Sequence, residues 1–198
     1  MRTFPTWKTV TLGTFPNHRS LLAALRKGGY LLIIQEDDDG EIHRPARTIA
    51  EARKNSTIVE LVERTPLAST PVEVGLVRAT LSELGIDGRK DPKRSWCLLS
   101  GPFLADVLRR AEAHGLGICR AEVGPQLRLQ YSDQPQGGPP FGEMVRIGMR
   151  SIRLSGGCQP EVFEVYHDVT GRWIGGGEDK YDFPITTDFW IFEQLRAP

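Results

Sequence analysis

The sequence lacks most of the features that announce membrane, metal or nucleotide chemistry. No run of about eighteen apolar residues is present, so no bilayer span is expected. The segment Met1 to Phe15 has no continuous apolar core of the kind a signal peptide carries, which makes the cytoplasm the expected compartment. Cysteine is scarce: Cys97, Cys119 and Cys158 are an odd number, too far apart for a CxxC pair, and this excludes a disulfide framework or a zinc ribbon. The four histidines, His18, His43, His114 and His167, show no metal-ligand spacing, so no metal site and no cofactor are expected. There is no GxGxxG, no Walker A loop, no HExxH and no GxSxG, and hence no named catalytic residue. Charge of one sign is also missing, because 25 Lys and Arg balance 25 Asp and Glu; a nucleic-acid partner is thereby disfavoured.

What is present is ordinary material for a folded chain. With 198 residues, 39% hydrophobic and 25% charged, a real core can be buried. Trp7 to Leu12 alternates weakly and predicts a first strand; Asn17 then caps a helix with its apolar stripe on Leu21, Leu22 and Leu25. Glu36-Asp37-Asp38-Asp39-Gly40 lacks the ligand spacing of a calcium loop and reads as a turn, and a helix is expected over Arg47 to Asn55. The β-branched run from Thr57 to Val62 reads as a strand, although Glu60 and Glu63 permit a helix. Pro66 to Pro71 is the clearest interior linker, dividing the chain into an N-terminal lobe (1–65) and a main domain (72–198), or else joining elements of one domain (1–198). Val72 to Leu76, Val145 to Met149, Val162 to Val165, Arg172 to Ile174 and Phe189 to Phe192 supply strands joined by short glycine-rich connections. The expected class is α+β: a mostly antiparallel sheet with two or three packed helices and a β-rich C-terminal half.

The stretch from Pro102 to Gln134 concentrates the residue types that a site needs. Phe103, Leu104, Val107, Leu108 and Ala111 recur at helical spacing, and His114-Gly115 ends that helix. Gly124-Pro125 then reads as a turn feeding a strand, in which Leu127, Leu129 and Tyr131 alternate with Gln126, Arg128 and Gln130. On this reading Gln126, Arg128 and Gln130 form a row of planar hydrogen-bonding groups, flanked by Glu122 and by Asp133-Gln134. A guanidinium in such a row suits a carboxylate or a phosphate. Glu122 also has a structural reading, in which it accepts a hydrogen bond from Arg128 or from backbone N–H groups in its own turn and so shapes the loop.

The segment CRAEVGPQLRLQYSDQP, Cys119 to Pro135, resembles a motif of a family of small uncharacterised bacterial proteins, in which proline usually stands where this chain has Arg120. Trp7-Lys8-Thr9-Val10, Leu81-Ser82-Glu83-Leu84-Gly85 and Gly171-Arg172-Trp173 resemble the same family, so the likeness touches about half of the chain. It implies no activity and lends no functional residue. Three functions therefore stand at this point. The favoured one is a binding or interaction protein for a protein or a small anionic ligand, using Glu122, Gln126, Arg128, Gln130, Tyr131, Asp133 and Gln134. The second is a small hydrolase or transferase with Glu122 or Asp133 as base and Arg128 and Tyr131 holding an anion. The third is a nucleic-acid-associated protein using the basic stretch from Gly88 to Ser95.

Overall fold

The computed structural model describes residues 4–30, 32–33, 44–45, 57–86, 104–137, 143–155, 160–169, 171–178 and 189–195. The acidic turn at 36–40, the helix expected over 47–55 and the basic stretch at 88–95 lie outside these residues, as do Cys97 and Cys158. The described elements are β1 (Lys8–Leu12), α1 (His18–Lys27), β2 (Leu32–Ile33), β3 (Arg44–Pro45), α2 (Thr57–Glu63), β4 (Val72–Thr80), α3 (Leu104–Ala113), β5 (Leu116–Gly117), α4 (Val123–Gln130), β6 (Glu143–Ile147), β7 (Ile152–Arg153), β8 (Pro160–Asp168), β9 (Gly171–Glu178) and β10 (Phe189–Gln194). The α+β class holds, with strands dominating the C-terminal half. No described helix is long and apolar enough to cross a membrane.

The main sheet runs β1-β4-β10-β6-β8-β7, with β5 added on β10 and β9 on β8. Every pairing in it is antiparallel except β10 with β6. Cross-strand partners share a face. The register therefore sets Val10, Val74, Leu76, Ile191, Val145, Val165 and Ile174 on one side of the sheet. All seven are buried. On this side α4 rests on β1, β8 and β9, α1 packs on α4 and α2, and α2 reaches β9. Val77, Ala79, Trp190, Phe192 and Val162 belong to the opposite side and are buried as well, so both faces are covered.

Two segments read as strands fold as helices. Thr57–Glu63 is α2, whose Ile58, Leu61 and Val62 face the core at helical spacing. The larger correction concerns Gln126 to Tyr131, which belongs to α4. Val123, Leu127 and Tyr131 stand four residues apart and are all buried, a helical stripe that the alternation of Gln126, Arg128 and Gln130 conceals. Gly124 and Pro125, expected to form a turn, lie in the first turn of α4, where a missing N–H costs no helical bond. Gly124 also has a packing reason. A Cβ there would come within 2.5 Å of the Phe163 side chain, so only glycine lets the helix close on β8.

Candidate functional site

The polar residues singled out in the sequence are brought together by α4, but they face inward. Glu122, Gln126 and Gln130 follow one another at intervals of four and stack as a ladder along the helix. Gln130 donates through Nε2 to Gln126 Oε1 at 3.0 Å, and Gln126 donates through Nε2 to Glu122 Oε1 at 3.0 Å. Each rung also grips another part of the fold. The Gln130 amide accepts from the Thr11 N–H at 2.9 Å and donates to the Thr11 carbonyl at 2.8 Å. Gln126 exchanges hydrogen bonds with the Thr14 hydroxyl. Glu122 accepts from the Gly13 N–H and from the Ala68 N–H, both at 2.7 Å, which ties the end of β1 to the Pro66–Pro71 stretch. Glu122 is structural, but neither expected partner holds it: its donors are backbone N–H groups remote in sequence in place of those of its own turn, and Arg128 donates elsewhere.

Arg128 leaves the helix on another side and is 0% exposed. Its guanidinium donates to Gln134 Oε1 at 2.5 Å and to the carbonyls of Tyr131 at 2.8 Å and Tyr166 at 3.0 Å, and it lies 5.0 Å from the centre of the Tyr30 ring. Gln134 passes the connection on by donating to the carbonyls of Glu143 and Val165. Burial pulls the Arg128 pKa down to about 10; Tyr30 opposes the shift and Arg172 adds to it. Tyr131 donates its hydroxyl to Glu143 at 3.2 Å, and burial, followed by that carboxylate, holds its pKa above the usual tyrosine range. Asp133 differs from the others. Its side chain is 73% exposed, and its contact with Lys8 at 2.8 Å lowers its pKa. Glu122 and Asp133 therefore sit at opposite ends of α4 with separate partners, and they share no acid–base site.

Open space lies on the other side of the same stretch. A groove of about 670 Å3 runs between Pro66–Ala68, the segment Ile118–Glu122 and the segment Arg150–Ile152, with Glu112 of α3 at its rim. Its walls are Leu67, Ala68, Ile118, Ala121 and Ile152, and Cys119 lies buried in it. The parallel bridge between Cys119 and Met149 holds the two sides together, supported by Cys119 N–H donating to the Gly148 carbonyl at 2.8 Å. The Cys119 thiol donates to the Ile191 carbonyl at 3.3 Å, and burial pushes its pKa well above the usual range, with Glu193 adding to the rise. The side chain packs in the core. Arg120 at the mouth pairs with Glu193 at 3.2 Å, whereas Arg150 is exposed and has no hydrogen bond or ion pair among the described residues. Sequence reasoning missed Arg150 and Ile152, because only the tertiary bridge at Cys119 brings them beside Ile118.

Among the described residues no group of three His, Cys, Asp or Glu side chains is placed to hold a metal ion. His167 donates through Nδ1 to the Gln134 carbonyl at 2.5 Å; the carbonyl can only accept, so this nitrogen carries the proton. Asp168 instead accepts from the Gly171 N–H and from Trp173 Nε1, so His167 and Asp168 do not form an orienting pair. The fold is that of an α+β protein, and its described residues include a buried polar helix and a largely apolar groove. No protein-family model matches the chain, nor does any curated protein or any solved structure.

Proposed function

We propose that the protein is a binding protein and that its recognition surface is the groove beside Ile118–Glu122, in place of the polar face of α4. The observation that carries this reading is the contrast in how polar groups are engaged. In the groove, Cys119 and Glu122 are held by internal hydrogen bonds and offer neither a nucleophile nor a base. Arg150 stands exposed beside the groove with no hydrogen bond or ion pair among the described residues. A volume of about 670 Å3 lies in the range of small-molecule sites. The chemistry that fits is a ligand with an apolar body against Leu67, Ile118 and Ile152 and one anionic group toward Arg150. This keeps the expectation of a small anionic ligand and moves the residues that receive it. The hydrolase or transferase alternative has nothing comparable to support it, because both of its candidate bases are held by internal partners.

Fluorescence titration with anilinonaphthalene sulfonate, an apolar body bearing one anion, tests this. The wild type binds it saturably with about one site per chain. Ile152→Trp fills the groove and abolishes binding, Arg150→Gln weakens it several-fold, and both variants melt within a degree or two of wild type. Unchanged binding in the folded Ile152→Trp variant rejects the assignment.

A further inference from the structure

We propose that the C-terminal end of α4 carries a second site, distinct from the groove, which takes a small oxyanion, phosphate or carboxylate, between Arg128 and Arg172. The starting point is an imbalance of charge. Arg128 is fully buried, yet its three hydrogen bonds all go to neutral oxygens, and its Nε has no partner at all. A buried cation normally has a counter-charge, and a buried donor normally has an acceptor. Among the described residues neither is supplied. Of the neighbouring carboxylates, Asp133 pairs with Lys8 and also lies near enough to Arg172 for that charge to help lower its pKa, Glu143 is engaged with Arg78 and Tyr131, and Asp168 with the Gly171 N–H and Trp173; none of them hydrogen-bonds Arg128 among the described residues.

The second cation is brought to the same place by the sheet. Arg172 on β9 is the cross-strand partner of His167 on β8, so the two side chains share a face. His167 holds the Gln134 carbonyl at 2.5 Å, and the Gln134 side chain holds Arg128 at 2.5 Å. Gln134 thus joins Arg128 to the cross-strand neighbour of Arg172. Arg172 is half-buried and makes no hydrogen bond among the described residues. The repulsion between them shows in the Arg128 guanidinium, whose pKa Arg172 helps to lower once burial has acted. An oxyanion between them supplies the acceptor that Arg128 Nε lacks and adds to the charge of exposed Asp133 near the planar fork of Arg172.

Binding of inorganic phosphate and of acetate to the full-length chain, each against chloride at matched ionic strength, tests the proposal by calorimetry and thermal melting. At least one of the two oxyanions binds the wild type saturably and raises Tm. A response to phosphate alone identifies a phosphate-type ligand, and a response to acetate as well identifies the shared carboxylate geometry. Arg172→Gln weakens binding by about tenfold or more, and Arg172→Lys, which keeps the charge without the fork, by a smaller factor. Ile152→Trp leaves this response unchanged, so the result is independent of the groove. Absence of a saturable response to both anions in the wild type overturns the proposal, and so does an equal response in Arg172→Gln.

Discussion

The α4 ladder and the groove beside it come from one continuous stretch of chain, and they treat polar groups in opposite ways. On the ladder, Glu122, Gln126 and Gln130 are nearly or partly buried and every rung makes at least two hydrogen bonds across the fold. In the groove the walls are mostly apolar, Glu122 is held by internal hydrogen bonds, and Arg150 is exposed with no partner among the described residues. A row of amides and carboxylates is thus no guide to a binding surface until its partners are known. When each group already has a protein partner, the row is a fastening, because a ligand would have to replace bonds already made. Recognition belongs where a charge lacks a partner and apolar surface lies open next to it.

The largest effect is expected at Arg128, the most buried polar side chain of α4 though not a rung of the ladder. Arg128→Met removes the donors for the carbonyls of Tyr131 and Tyr166 and for Gln134, and is expected to cost about 3–5 kcal/mol in urea unfolding. A cost under about 1 kcal/mol means that α4 is not held by its polar contacts. Next comes Glu122→Gln, which keeps the shape but sets an NH2 against either the Gly13 or the Ala68 N–H; a loss of about 1.5–3 kcal/mol is expected. Gly124→Ala drives a methyl group against Phe163 and is expected to cost about 1–3 kcal/mol, read from the same transitions.

Tyr131 gives a pH test of the same end of the helix. Its folded pKa is raised above that of the unfolded chain, so its contribution is complete below about pH 10 and is lost as the pH rises above that value. Urea midpoints of wild type and Tyr131→Phe measured between about pH 8 and pH 10.5 should converge as the pH rises. Parallel curves refute the linkage. The smallest effect is expected for Asp133→Asn, whose exposed pairing with Lys8 should leave the melting temperature unchanged within experimental error.

The sequence disclosed the sheet better than the site. Strands such as Val72–Thr80 and Phe189–Gln194 announce themselves because their buried side chains are apolar and β-branched or aromatic. α1 does so because Asn17 caps it, accepting from the Ser20 N–H at 3.0 Å, and Leu21, Leu22 and Leu25 mark one face. α4 is misleading for a physical reason. It is buried on its polar side as well as on its apolar side, so no solvent-facing stripe records its period, and the alternation of Gln and Arg with Leu imitates a strand. The intervals of four joining Glu122, Gln126 and Gln130, and Val123, Leu127 and Tyr131, were present throughout. The places of Arg172 and Arg150 in the two proposed sites could not be read from the sequence, because what positions them is cross-strand register at His167 and the bridge at Cys119.

The amide of Gln130 has a consequence beyond holding a helix. β1 is the terminal strand of the main sheet's order, and at Thr11 its outward N–H and C=O are both taken by one side chain that presents an acceptor and a donor as a neighbouring strand would. A terminal strand with free backbone groups is a template for pairing with another chain. Here the position is already filled from within, so a second molecule meets no vacant ladder at Thr11. Gln130 therefore closes the sheet edge to strand addition at Thr11.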